Sequence, residues 1–111
     1  MKTSYFSKYN KLNLKNGISI ACSSPNYFNG SEYKKLAPRW ELVNNYKKGV
    51  VSKKDYVKSY KKQLHLLAAK NVYKDLKNNV LLCWEGPGKF CHRIIVAKWI
   101  EKKLGIKVPE L

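Results

Sequence analysis

The stretch that decides the fold is VLLCWEGPGKFCHRIIVAKWIEKKLG, residues 80–105. It opens with a continuous apolar run, residues 80–84, which is typical of a strand covered on both faces. A tight turn at residues 86–88 follows, and the next apolar residues recur at the spacing of a helix with a broad buried face. Gly105 stands where a helix C-terminal cap is expected. With residues 106–108 as a returning strand, the segment predicts a right-handed βαβ unit at the C-terminus.

The chain before this unit predicts two further strands and a long loop. Residues 2–6 and 18–22 have the composition of short strands, and the link of about eleven residues between them leaves their relative direction open. Residues 24–49 carry turn signals at Asn29-Gly30 and Pro38. They predict mostly irregular structure, either a binding lid or aromatic residues packed over the core.

The clearest helix is predicted at residues 52–68. Ser52 with Asp55 three residues later has the pattern of a capping box, and apolar positions on one helical face follow it. A second helical segment is predicted at residues 71–77. A chain of 111 residues holds one core, so residues 1–111 are predicted to form a single domain. The fold class predicted is α/β, in three layers, with a small and mostly parallel sheet.

The charge of the chain is strongly positive, with 23 basic residues against 7 acidic ones. Only Arg39 and Arg93 are arginines, and AT-rich codon usage favours lysine over arginine in this way. The same codon usage would also enrich glutamate, yet glutamate is scarce, so codon usage does not explain the charge. The sign of the charge therefore predicts an anionic partner. Residues 47–77 hold ten lysines and two aspartates. This stretch predicts either a solvated lysine face or a surface for nucleic acid.

Neither a membrane span nor a disulfide framework is expected. No apolar run approaches the roughly 20 residues that cross a bilayer, and lysines and asparagines interrupt the N-terminus where a signal peptide is apolar. We therefore expect a cytoplasmic protein without a membrane partner. Three cysteines are an odd number in a chain with no secretion signal, so a disulfide framework is not predicted. The sequence leaves the oligomeric state open.

The predicted site lies at the carboxyl end of the strand at residues 80–84, because ligands of open α/β sheets collect at strand ends. Gly86 and Gly88 allow a ligand to approach the backbone closely, and the N-terminus of the following helix favours an anion. Lys89 adds positive charge. Arg93 can offer a bidentate fork to a phosphate or carboxylate. Glu85 either accepts a hydrogen bond from a ligand hydroxyl or pairs with Arg93 or Lys89.

Two residues at the start of the predicted helix carry candidate catalytic chemistry. His92 is a candidate general acid or base, or else a structural helix-cap residue. Cys91, near basic residues, is expected to have thiolate character and is a candidate nucleophile, or else is buried under the turn. Cys83 is expected to be a small buried apolar side chain. Close Cys-x2-Cys pairs are missing and adjacent Cys91 and His92 would chelate awkwardly, so no metal and no cofactor is predicted.

The order Leu82-Cys-Trp-Glu85, a short turn and Cys91-His-Arg93 resembles the hallmark of domain-of-unknown-function family 488. The rest of the chain fits in order, including Tyr33-x-x-Leu36-Ala-Pro38, and looks like a short branch of the family found in low-GC bacteria and their phages. The chain departs from larger members at two strand ends, where Ser4-Tyr-Phe6 replaces Gly-His-Ser and Ala21-Cys22 replaces Asp-Val-Arg. The resemblance implies a Rossmann-like fold and a nucleotide-handling role.

The function predicted from these features is binding of a phosphorylated, nucleotide-like small molecule at this site. The protein is then either an enzyme of hydrolase or transferase type, with His92 as acid or base and Cys91 as nucleophile, or a protein that senses or sequesters a nucleotide signal. The alternative is sequence-nonspecific nucleic-acid binding through residues 47–77, helped by exposed tyrosines and salt-sensitive in the way that phosphate contacts are.

Overall fold

One sheet of four parallel strands organises the computed structural model of this protein, which describes residues 1–86 and 89–111. The strands are β1 (Lys2–Tyr5), β2 (Gly17–Ser19), β3 (Ser31–Glu32) and β4 (Val80–Cys83). Their order across the sheet is β1-β4-β2-β3, so the last strand in the chain lies between the first two. Every pair of these strands that is in contact is parallel. The α/β prediction is confirmed, and the sheet is more uniformly parallel than expected.

The helices of the described chain are α1 (Phe6–Leu12), α2 (Trp40–Lys47), α3 (Lys53–His65), α4 (Ala69–Leu76) and α5 (His92–Leu104), with a short 3₁₀ helix at Lys34–Leu36. The predicted cap of α3 is confirmed, because the Ser52 hydroxyl accepts a hydrogen bond from the Asp55 N–H at 3.1 Å. The predicted cap of α5 is also confirmed, since Gly105 adopts a left-handed φ of 67°. Among the residues described, no helix combines the length and apolar character that crossing a membrane requires.

Both faces of the sheet are covered, as the burial of every residue of the apolar strand β4 shows. Successive side chains of a strand point to opposite faces. Leu81 packs in a cluster formed mainly by α3, α4 and α5, whereas Val80 and Leu82 pack against Phe6 and Tyr9 of α1. The result is the three-layer arrangement that the continuous apolar run predicted.

Two helices were not predicted. The link between β1 and β2 holds α1, which makes it a parallel crossover and settles the direction that the sequence left open. The stretch predicted as mostly irregular holds α2. No side chain caps α2, and none of its residues is fully buried, so its sequence carries neither a capping signal nor a strong apolar face.

The strand predicted at residues 106–108 does not form, since these described residues are neither helix nor strand, and that prediction was wrong. The backbone N–H of Val108 donates to the Glu101 carboxylate at 2.9 Å, so it is not available to a sheet. Pairing begins later, where Glu110 forms a single parallel bridge with Thr3 of β1. The C-terminal βαβ unit therefore closes with a bridge beside β1 rather than with a strand.

The connections define a crevice between two strands. After β2 the chain turns outward to β3, and after β4 it crosses through α5 to the opposite edge of the sheet at Glu110. These connections leave β2 and β4 in opposite directions, so the carboxyl ends of the two strands flank a topological switch point. Open α/β sheets bind their ligands at such a crevice.

Candidate functional site

A cavity of about 470 Å³ opens at this switch point. Its size falls within the range of pockets that hold small molecules. We call it the carboxyl-edge pocket. Its walls come from the segments that follow β2 and β4, from the start of α5 and from α2, and they consist of residues 21–23, 83–85 and 89–92 together with Pro38, Trp40, Val43, Tyr46, Lys47 and Tyr56.

The carboxyl-edge pocket contains four of the predicted site residues: Glu85, Lys89, Cys91 and His92. Gly86 follows Glu85, and a side chain placed there would meet no atom within 4 Å, so the backbone is open to approach. Gly88, also predicted to bind the ligand, lies outside the described residues. Five of the seven predicted site residues are thus in or beside the pocket, and Arg93 is not on its described wall.

Aromatic rings form much of the pocket wall. Trp40 and Trp84 are 64% and 49% exposed, which leaves large ring surfaces open to a ligand. Tyr46, Tyr56 and Phe90 pack against one another, with ring centroids 5.1 to 5.6 Å apart. Burial raises the pKa of the Tyr56 hydroxyl well above its usual 10, so this phenol stays neutral. The wall is suited to a flat, apolar ring that stacks on an indole.

Charged groups lie at the same pocket. Lys47 and Lys89 are exposed lysines on its wall, and within the described chain neither forms a salt bridge. Glu85 is the one carboxylate on the described wall. Two unpaired ammonium groups beside aromatic rings can attract an anion, and the N-terminus of α5 favours negative charge at the same place.

His92 is almost fully buried and links α5 to the end of β2. Its Nε2 lies 2.6 Å from the backbone oxygen of Ile20. Burial lowers the pKa of the imidazole from 6.5 to about 4, because desolvation disfavours the charged ring. The positive charge of Arg93 lowers the pKa as well, and the hydrogen bond to Ile20 raises it by less than these two effects lower it. The ring is therefore neutral at pH 7. Since a carbonyl oxygen only accepts, Nε2 carries the proton and Nδ1 is an acceptor, 3.6 Å from Cys91 Sγ.

Arg93 follows His92 but contacts different partners. Its Nε and Nη2 donate to the Glu110 carboxylate, at 3.2 Å and 2.9 Å. Its Nη1 donates to the backbone oxygen of Glu85 at 2.6 Å and lies 3.0 Å from Cys83 Sγ. Thr3 also donates to Glu110. We call this group, Arg93 with Glu110, Thr3 and the Glu85 carbonyl, the Arg93 brace.

The arginine of the Arg93 brace is buried, whereas Glu110 is partly exposed. Arg93 is 2% exposed and is not among the described residues of the pocket wall. Burial raises the pKa of Glu110, whereas the hydrogen bonds from Arg93 and Thr3 lower it. The lowering effects together are larger, so the pKa of Glu110 lies below the usual 4.5. The pairing of Arg93 with Glu85 that the sequence offered as an alternative occurs through the Glu85 backbone oxygen, not through its carboxylate.

Cys83 and Cys91 are joined in a disulfide, and Cys22 is free. The sequence did not predict this bond, because three cysteines are an odd number in a chain with no secretion signal. Cys91 is the N-cap of α5 with an extended backbone, and Cys83 is the last residue of β4, so the two sulfurs meet where the end of β4 faces the start of α5. The burial expected for Cys83 is confirmed. In this oxidised form Cys91 is not a nucleophile, since the reactive species is the thiolate.

Cys83, Cys91 and His92 also form the one group of three possible metal ligands found in the described chain, with their ligand atoms within 4.8 Å of one another. Sulfur binds zinc as a thiolate, and both sulfurs are consumed by the disulfide. The arrangement in this form does not offer a metal-binding set.

Sequence reasoning missed the contribution of α2. Trp40, Tyr46 and Lys47 all lie on this helix and all reach the pocket wall. The available signal was the length of the stretch at residues 24–49, which left a binding lid open as an alternative to aromatic residues packed over the core.

A broader groove runs between α3 and α5, with a volume of about 1090 Å³. We call it the α3–α5 groove. Its walls include the lysines Lys53, Lys61, Lys89, Lys98, Lys102 and Lys103. The tyrosines expected to support nucleic-acid binding do not face solvent on α3, since Tyr56 and Tyr60 are 4% and 0% exposed, so that part of the prediction was wrong.

A protein-family model described as the active DUF488-N3 subclade matches residues 10–104. The match spans β2 to the end of α5 and contains every residue of the carboxyl-edge pocket. No curated protein and no solved structure matches the chain.

Proposed function

This chain belongs to the DUF488 family, and we propose that it binds a phosphorylated, nucleotide-like small molecule in the carboxyl-edge pocket. The observation that carries the proposal is the composition of that pocket: two half-open indole rings and two lysines that form no salt bridge with the described residues, at the switch point of a parallel sheet. A ligand that has both a flat ring and an anionic group satisfies both halves of this wall.

The ring half of the ligand is assigned to Trp40 and Trp84. The Trp84 indole is held in place by a hydrogen bond from its Nε1 to the Ser23 backbone oxygen at 2.7 Å and by an edge contact with Phe6. Such a fixed ring loses little freedom when a base stacks on it. Stacking of a base on an aromatic side chain contributes roughly 1–3 kcal/mol and tolerates any base, because every base has a π face.

The anionic half of the ligand is assigned to Lys47, Lys89 and the N-terminus of α5. These groups supply positive potential at the pocket, and Gly86 leaves room for close approach to the backbone. Glu85 opposes a second phosphate there but can accept a hydrogen bond from a sugar hydroxyl. A nucleoside monophosphate meets these requirements better than a nucleoside triphosphate, which would place more negative charge near Glu85.

Catalysis is the extension of this proposal. The description of the matching subclade as active favours a reaction, of hydrolase or transferase type, over simple sequestration. His92 would act through Nδ1, since Nε2 donates to Ile20. Cys91 would act as a nucleophile only after the disulfide is reduced. Turnover is therefore to be assayed with and without a reductant.

The test is a titration with AMP, GMP, CMP and UMP, and with adenosine and inorganic phosphate as partial probes. Trp40 and Trp84 line the pocket, so their fluorescence reports on occupancy. We expect AMP to bind more tightly than adenosine or phosphate alone, because only the nucleotide contacts both halves of the wall. Chromatography of the recovered nucleotide distinguishes an unchanged ligand from released base or phosphate. No binding of any of the four nucleotides would contradict the proposal.

A matched pair of variants controls for nonspecific charge. The double variant Lys47→Gln, Lys89→Gln removes two charges at the pocket, and Lys11→Gln, Lys15→Gln removes two from exposed lysines that are not on its wall. We expect only the first to weaken AMP binding. An equal loss in both would mean that net charge, and not this pocket, attracts the nucleotide.

The second candidate function, binding of single-stranded nucleic acid, is favoured by the α3–α5 groove. Its two acidic residues are already engaged: Glu110 by Arg93, and Glu101 by the Val108 N–H. The lysines on its walls therefore face an incoming phosphate chain without local competition.

Fluorescence anisotropy of a labelled oligothymidine tests this second candidate. The affinity is expected to fall with salt, with a log–log slope of about −0.7 for each phosphate contact on a single strand. The variant Lys61→Gln, Lys98→Gln, Lys102→Gln should lower both affinity and slope, whereas Lys11→Gln, Lys15→Gln, Lys35→Gln should not. Identical behaviour of the two triple variants would exclude the groove.

A further inference from the structure

We infer that the Cys83–Cys91 disulfide is redox-active and exchanges with low-molecular-weight thiols and disulfides that enter through the carboxyl-edge pocket. Both cysteines lie on the wall of that pocket. They are 1% and 6% exposed, so the cysteine of a folded partner protein cannot reach them, whereas a small thiol can enter the cavity. The inference does not depend on which nucleotide, if any, the pocket binds.

The two sulfurs have different surroundings, which assigns them different roles. Cys91 is the more accessible of the two and is therefore the sulfur that an incoming thiolate attacks. Cys83 is the leaving group, and the guanidinium of Arg93 lies 3.0 Å from its sulfur. A positive donor at that distance stabilises the thiolate that departs, and thiol–disulfide exchange is faster when the leaving thiolate is stabilised.

The reaction balances without any group beyond the thiol. A thiolate, RS⁻, attacks Cys91 Sγ and forms a Cys91–S–S–R mixed disulfide, while the Cys83–Cys91 bond breaks and its electron pair leaves on Cys83. A second RS⁻ attacks the R sulfur, which releases Cys91 as a thiolate and forms R–S–S–R. Two thiols are oxidised to one small disulfide, and the protein gains two electrons. The reverse sequence, with R–S–S–R as oxidant, re-forms the bond.

We expect the chain to remain folded when this disulfide is reduced. The two cysteines are eight residues apart, and closing so short a loop restricts the unfolded chain much less than closing a long one. The structure also has two buried apolar clusters, on opposite faces of the sheet, that hold the layers together. The reduced form is further stabilised, because Arg93 faces one thiolate and the N-terminus of α5 the other. These features are typical of a bond that opens reversibly in a folded protein.

The wild-type chain provides the first test. It is equilibrated with mixtures of reduced and oxidised glutathione, quenched in acid, and alkylated under denaturing conditions before intact-mass measurement. We expect three alkyl groups at the reducing end and one at the oxidising end, in a single two-electron transition. Cys22 is the internal reference, because it is free and accounts for the alkyl group that remains.

The second test traps the intermediate. Cys83→Ser cannot complete the exchange, so oxidised glutathione is expected to leave a glutathione adduct on Cys91, whereas Cys91→Ser should leave little on the buried Cys83. Circular dichroism confirms that each variant is folded. Three free thiols at every glutathione ratio would overturn the inference, and so would one zinc ion per molecule in the chain as purified, since zinc ligation would hold both cysteines as thiolates. A Cys83→Ser chain that is folded and remains free of adduct would overturn it as well.

Discussion

The carboxyl-edge pocket and the Arg93 brace meet at two consecutive residues, yet they differ in how completely their polar groups are satisfied. His92 contributes to the pocket wall, where Lys47 and Lys89 have no salt bridge within the described chain. Arg93 belongs to the brace, where Nε, Nη1 and Nη2 all have partners. Charged groups without a partner, as on the pocket wall, are available to an anionic ligand. Charged groups that are already paired, as in the Arg93 brace, stabilise the fold instead.

The comparison shows that one short motif serves two purposes. In Cys91-His92-Arg93, the first two residues shape a cavity and the third attaches the C-terminal tail to β1 through Glu110. A motif that is recognised as a functional unit can therefore contain a residue whose side-chain partners all lie within the chain. Substitutions in the Arg93 brace should therefore change stability, and substitutions on the pocket wall should change ligand affinity.

The largest effect is expected for Arg93→Ala. The change removes every hydrogen bond that Arg93 donates, so the Glu85 carbonyl loses its donor and the Glu110 carboxylate keeps the hydrogen bond from Thr3. Breaking a pair whose arginine is buried should lower the free energy of unfolding by about 3 kcal/mol, at the low end for such pairs because Glu110 is partly hydrated. Urea denaturation measures this loss.

Two conservative variants sharpen the same comparison. Arg93→Lys keeps the charge but loses the planar fork, so it should recover only part of the lost stability. Glu110→Gln keeps a hydrogen-bond acceptor and should cost less than Arg93→Ala. AMP binding should be nearly unchanged in any of these variants that remains folded. If Arg93→Lys instead lost much of its affinity for AMP and little of its stability, Arg93 would be a ligand-binding residue.

The next effect concerns His92 and pH. Its pKa in the folded chain is lowered to about 4 from 6.5, so the unfolded chain takes up the proton first as the pH falls. The contribution of His92 is thus fully present above about pH 6.5 and is lost as the pH falls towards 4. Between pH 7 and pH 5 the free energy of unfolding should decrease by about 2 kcal/mol.

The control for this pH effect is the exposed His65. His65→Gln should keep the decrease, and His92→Gln should largely abolish it while lowering stability at pH 7, because the bond to Ile20 is weakened. Keeping the measurement above pH 5 limits the contribution of the carboxylates, whose usual pKa values are near 4. A decrease of the same size in His92→Gln would show that another group is responsible.

The third effect separates affinity from stability. Trp40→Ala removes one indole from the pocket, and AMP affinity should fall about 10-fold, within the range of a lost stacking contact. Because Trp40 is 64% exposed, the free energy of unfolding should change by less than about 0.5 kcal/mol. Tyr27→Ala is the matched control, since Tyr27 is 48% exposed and is not on the described pocket wall. If Trp40→Ala bound AMP with unaltered affinity, Trp40 of α2 would not contact the ligand.

The sequence predicted those parts of the fold that depend on local signals. The apolar run of β4, the Ser52 cap of α3 and the Gly105 cap of α5 each follow from a few neighbouring residues. The helices it missed depend on distant contacts. In α1, for example, the Tyr9 hydroxyl accepts a hydrogen bond from the Gly17 N–H at 2.5 Å, a contact that no local pattern reveals.

The location of the carboxyl-edge pocket was predictable, but the directions in which nearby side chains point were not. Strand ends and a helix start define the crevice from sequence order alone. Consecutive residues of a helix point about 100° apart, so His92 and Arg93 diverge. Which direction meets the pocket depends on Glu110, a residue 17 positions further along that reaches Arg93 only because the tail bridges to β1.

The smallest effect is expected for Glu85→Gln, at the junction of the two regions. The Glu85 backbone oxygen belongs to the Arg93 brace and its side chain belongs to the pocket, so the substitution should leave the brace intact. The free energy of unfolding should change by less than about 0.5 kcal/mol. If the carboxylate accepts from the ribose, AMP affinity should fall about five-fold, since a charge-assisted hydrogen bond is replaced by a neutral one. Free adenine and inorganic phosphate should not lose affinity, because neither carries a sugar hydroxyl. Tighter binding of AMP together with tighter binding of phosphate would show that Glu85 only repels the anion, and a clear loss of stability would show that its side chain belongs to the brace.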